Sequence, residues 1–109
     1  MTGKTPTNEL PPTLRRFIEK YPSVWSAHEN LGVEVAKAGP LAARDIQLIK
    51  LSASAALGLE TSFKTHIKKS LKAKVSRAEI EHTILLLLPM LGLTKTMMAM
   101  KWYAECAKA

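Results

Sequence analysis

Thiol chemistry has almost no material in this chain. Of its 109 residues one is cysteine, Cys106, so neither an internal disulfide nor a dithiol pair can form. Aromatic residues are scarce at 6%. The helix formers Leu, Ala, Met and Lys dominate instead of the ring-bearing and β-branched residues of sheets, and an all-α domain is expected. Acidic residues are outnumbered, nine against sixteen Lys and Arg, for a formal charge of +7. That imbalance raises nucleic acid or anionic lipid as partners. No long apolar run is present either. The uncharged segment 83–94 falls short of the roughly 20 residues that span a bilayer, and Pro89 and Gly92 interrupt it. A buried core helix is the expectation there, with no membrane partner. The opening residues Met1–Pro6 lack the apolar core of a secretion signal, so a cytoplasmic protein is expected.

The hydrophobic share of 47% fits one compact domain, but 109 residues bury a modest fraction of their surface as a monomer. A core shared between copies of the chain is expected. Residues 1–12 are polar and end in Pro11-Pro12, which reads as a flexible N-terminal arm ahead of a helical domain over 13–109. Leu14, Phe17 and Ile18 form an i, i+3, i+4 face, broken at Tyr21-Pro22. Val24, Leu31, Val35 and Ala38 mark a second helix that stops at Gly39-Pro40. A third, nearly all apolar or small from Ile46 to Leu57, begins near Leu41 and ends or kinks at Gly58. Leu59, Phe63, Ile67 and Leu71 repeat every four residues along a fourth helix. Ser76 and Glu79 have capping-box spacing, so a fifth helix starts at Ser76 and runs toward Pro89. A sixth carries Leu93, Met97, Met100 and Ala104 as its inner stripe.

His66 is the candidate reactive group. At about 100° per residue it lies about 40° from Ser62 and about 20° from Leu59, on a small, weakly polar face shared with Ser70 and Ala73. A histidine at such an edge can act as general acid or base. Lys64, Lys68 and Lys72 form an i, i+4, i+8 row on the opposite side and read as a solvated face; without interleaved aromatics, nucleic acid is not the expected partner. Glu79-x-x-His82 has the spacing of half a di-metal site, yet no second copy exists, so no metal and no cofactor are expected. Met90, Met97, Met98, Met100 and Trp102 fit a core or subunit interface better than a ligand pocket.

Three segments carry a resemblance: Gly39-Pro40-Leu41-Ala42-Ala43-Arg44-Asp45-Ile46-Gln47-Leu48-Ile49, His66 eight residues after Gly58, and Val75-Ser76-Arg77-Ala78-Glu79-Ile80. From about Tyr21 to Tyr103 the chain resembles the carboxymuconolactone decarboxylase and alkylhydroperoxidase D family. The resemblance implies a compact domain of about six helices that assembles as a homo-oligomer, trimer or hexamer. Its peroxidase branch uses two cysteines, a histidine and an upstream glutamate as a proton relay; those positions fall on Leu59, Ser62, His66 and Gln47. Neither leucine nor a serine hydroxyl supplies the thiolate that attacks peroxide, and glutamine cannot accept the relay proton. The decarboxylase branch usually has glutamate four residues before the histidine and a glycine closing that helix, where Ser62 and Lys74 stand here. Two readings follow. One is a non-redox lyase or decarboxylase acting on a small organic acid, with His66 as acid/base, Ser62 and Gln47 at substituted site positions, and Arg44 or Lys50 as carboxylate anchor. The other is a non-catalytic oligomeric binding or assembly module.

Overall fold

The computed structural model describes residues 10–107, and among these there are helices and no strands. Six helices have nine residues or more, and a seventh is a single turn. They fall into two compact units, divided between Pro40 and Leu41. The arm expected over residues 1–12 lies mostly outside the described residues, and Pro12 already belongs to the first helix.

The first unit holds α1, Pro12–Lys20, and α2, Pro22–Lys37. Both open on proline, whose missing N–H is no loss in a first turn, and Tyr21 stands between them as cap of each. The Phe17 ring lies 5.4 Å from Tyr21 and 6.5 Å from Trp25, and Trp25 lies 5.2 Å from His28. The helical spacing of Val24, Leu31 and Val35 is present, but the stripe is 55–61% exposed and neither helix has a buried residue.

The second unit contains the core, built on Leu51, Phe63, Ile67, Ile80 and Ile84. Helix α3, Ala43–Leu57, ends at Gly58, whose φ of 71° is the left-handed conformation that glycine adopts without a Cβ penalty. Helix α4, Glu60–Lys72, follows and packs along α3. Its C-terminus is closed by Lys74 N–H to Leu71 C=O at 3.1 Å and Val75 N–H to Ser70 C=O at 3.0 Å. This is the paired arrangement normally built on a left-handed glycine, and Lys74 adopts it at φ 68°.

Helix α5, Arg77–Leu85, starts with both halves of the expected capping box: Glu79 N–H donates to Ser76 Oγ at 3.0 Å, and Ser76 N–H to Glu79 Oε1 at 2.8 Å. It does not run on to Pro89. Proline there cannot donate to the Leu85 carbonyl and its ring would crowd it, so the chain turns at Leu86–Leu87 and Pro89 enters the first turn of the short α6, Leu88–Leu91.

Helix α7, Leu93–Ala107, corrects the expected inner stripe. Thr96, Ala99, Trp102, Tyr103 and Ala107 are buried; of the expected stripe Met100 is partly buried against the core, while Leu93 and Met97 are 66% and 55% exposed. Small residues at 96 and 99 allow close approach, and the Trp102 ring packs tilted against Phe63 with centroids 5.8 Å apart, which sets the rotation of the helix. Lys64, expected among the solvated lysines, instead ties α4 to α7. It bonds Glu60 at 3.0 Å and Glu105 at 2.8 Å. No helix among the described residues is long and apolar enough to cross a membrane.

Candidate functional site

The α3–α4 pair places Gln47 opposite His66, nineteen positions away in sequence. Gly58 supplies the tight reversal between the helices, and below it two contacts hold their register. Ser54 Oγ and Ser62 Oγ share a hydrogen bond of 2.8 Å, and the His66 Nδ1 atom lies 2.8 Å from Gln47 Oε1. Ser70, fully buried, donates its hydroxyl to the His66 carbonyl at 2.7 Å. Each polar group inside this apolar interface thus has a partner, and no buried side-chain nitrogen or oxygen among the described residues lacks one.

His66 is half-buried. Burial pushes its pKa down to about 4, with the positive charges of Lys69 and Lys50 adding to the effect. The imidazole is therefore neutral at physiological pH, the state in which it accepts protons. Lys50 follows Gln47 by three positions on α3, and Lys69 follows His66 by three on α4. Each helix contributes one uncharged polar group and one cation to the same region. A small anion would find a favourable potential there.

Of the residues singled out from sequence, the structure brings together His66, Gln47 and Lys50, with Ser62 one turn away along α4. Arg44 is committed elsewhere: its Nη2 lies 2.6 Å from Glu79 Oε1, a pair that raises the guanidinium pKa and holds Glu79 down to about 2. Sequence reasoning missed Lys69 and Ser54. Lys69 was hidden in a run of basic residues, although its three-residue offset from His66 puts it on an adjacent face. Ser54 was hidden as one interruption of an apolar helix; only the position of α4 shows that it meets Ser62.

The positions that the resemblance sets against the peroxidase branch's cysteines, Leu59 and Ser62, carry no sulfur. Leu59 is the exposed N-cap of α4, and Ser62 is hydrogen-bonded to Ser54. Cys106 lies apart on α7, where burial pushes its thiol pKa up, with Lys64 and Lys68 acting in the other direction. Among the described residues no three His, Cys, Asp or Glu side chains gather as a metal site, and Glu79 is engaged by Arg44 and Ser76.

Among the described residues the fold is all-helical, with a histidine and its polar partner facing each other across a helix pair. A sequence model of the carboxymuconolactone decarboxylase family matches residues 21–105, and the chain belongs to that family. No curated protein and no solved structure matches it significantly.

Proposed function

We propose that this protein is a non-redox lyase of the decarboxylase type acting on a small organic acid, with His66 handling the proton and without thiol peroxidase activity. The observation that carries the reading is the half-buried, neutral His66, fixed by Gln47 and flanked by Lys50 and Lys69. The two lysines attract a carboxylate to the imidazole. Loss of carbon dioxide leaves an electron pair on a substrate carbon next to an electron-withdrawing carbonyl. The proton that replaces the carboxylate there comes from solvent by way of the imidazole. Lys50 and Lys69 stabilise the negative charge as it moves. In this reading Lys50 and Lys69 anchor the carboxylate, and Arg44 is engaged by Glu79.

The protein works as a cytoplasmic homo-oligomer, a trimer or hexamer, in this reading. Exposed Leu85, Leu86, Met90, Leu93 and Met97, of which Met90 is 82% exposed, support an association surface in the second unit. The test is carbon dioxide release from a panel of unsaturated lactone acids and β-keto acids, with light scattering of the same sample to give the assembly state. Turnover of at least one acid is expected, falling by about a hundredfold or more in His66→Ala. Turnover unchanged by that substitution overturns the role of His66, and no turnover with any acid favours the assembly-module reading.

A further inference from the structure

We propose that Gln47 is a positioning residue that holds His66 in the tautomer protonated at Nδ1, leaving Nε2 as the one ring atom able to take a proton or accept a hydrogen bond from a bound molecule. The argument begins with the 2.8 Å contact between His66 Nδ1 and Gln47 Oε1. An amide oxygen only accepts, so the ring nitrogen facing it must donate. In a neutral imidazole the donor nitrogen fixes the other as acceptor.

The arrangement is held from both helices. Ser70 binds the carbonyl of His66 from the following turn of α4, and the Ser54–Ser62 bond clamps α3 to α4 on the side nearer Gly58. Phe63 and Ile67, on either side of His66 in the sequence, are fully buried and fix the rotation of α4. Swinging Gln47 away would exchange this bond for whatever solvent reaches the half-buried imidazole N–H.

The identity of residue 47 also bears on charge. A carboxylate at that place would accept the same Nδ1 proton but would favour imidazolium by its negative charge. The amide orients the ring without doing so. The charged groups that act on the ring are Lys50 from α3 and Lys69 from α4, both positive and both favouring the neutral form. Burial and the two lysines already favour the neutral form, and the amide at position 47 orients the ring without adding a charge that opposes them.

The experiment needs no substrate. The full chain, labelled with ¹⁵N in its histidines, is examined by NMR at pH 7.5, where the two ring nitrogens report the tautomer directly. A His66→Gln spectrum identifies the His66 signals, and exposed His28 serves as internal control. His66 is expected in the Nδ1–H form by about tenfold, and Gln47→Ala should erase most of that bias. Gln47→Glu should keep the Nδ1–H orientation and move the titration midpoint upward, with helix content unchanged by circular dichroism. A wild-type signal from the Nε2–H tautomer overturns the proposal. So does a tautomer ratio unchanged in Gln47→Ala, or a midpoint unmoved in Gln47→Glu. The readout is independent of activity, so its failure leaves the lyase reading to be judged by turnover.

Discussion

The helix pairs α1–α2 and α3–α4 are built from similar signals and reach opposite outcomes. Each has apolar residues at helical spacing and a sharp break between its members, Pro22 in one and Gly58 in the other. The α3–α4 pair buries Leu51, Ala55, Phe63 and Ile67 and threads matched polar groups between them, whereas α1–α2 buries nothing and is joined through aromatic rings. Periodicity states which face of a helix is apolar. It does not state what covers that face. An amphipathic stripe in a short chain is thus compatible with burial inside the chain or against another one.

Core truncation should separate the pairs most sharply. Phe63→Ala is expected to cost about 3–5 kcal/mol in urea unfolding, because it empties a fully buried site against Trp102. Leu31→Ala, at a position 60% exposed, should cost under about 1 kcal/mol at dilutions where the chain is monomeric. A larger loss that grows with protein concentration would show that copies of the chain cover α2, and an equal loss in both variants would erase the contrast.

The polar interior of α3–α4 should also make stability depend on pH. His66 has a folded pKa near 4, below its ordinary value of 6.5, so the unfolded state binds a proton first as pH falls. Stability should be full above pH 6.5, decline between 6.5 and 4, and level off for this group below 4. Allowing for solvent screening, the loss is on the order of 1–2 kcal/mol. Urea titrations across that range should show the slope, and His66→Ala should remove it. The carboxylate of Glu79, also depressed, contributes in a separate window, between about 4.5 and 2.

The smallest effect concerns the end of α4. Lys74 holds a left-handed conformation that costs a residue with a side chain about 1 kcal/mol, so Lys74→Gly should raise stability by up to that amount, less the extra freedom glycine gives the unfolded chain. A shift in the thermal midpoint would measure it. No gain would mean that the lysine side chain offsets the backbone cost.

Local chemistry was legible in the sequence, and cross-helix partnership was not. The capping box of Ser76 and Glu79, the stops at Tyr21-Pro22 and Gly58, and the shared face of Ser62, His66 and Ser70 depend on neighbours within a turn or two. The resemblance supplied Gln47 as the position across from His66. By contrast, the Arg44–Glu79 pair joins α3 to α5, and the Lys64–Glu105 pair joins α4 to α7. Both depend on how helices distant in sequence come to rest. The phase of α7 departs from the Leu/Met spacing for a related reason: close packing turns Thr96 and Ala99 inward with the larger rings of Trp102 and Tyr103, and of Leu93, Met97, Met100 and Ala104 it is Met100 that packs against the core.

Glu79 illustrates what a short chain does with few acidic residues. One carboxylate completes the start of α5 through Ser76 and fastens α3 through Arg44. Serine and arginine therefore communicate through a residue that each touches alone. Arg44→Ala would release only the α3 side of that carboxylate, because its other bond comes from the Ser76 backbone N–H, which every residue except proline supplies. The few acids of this chain make it sparing in charge, so that one carboxylate serves two junctions at once.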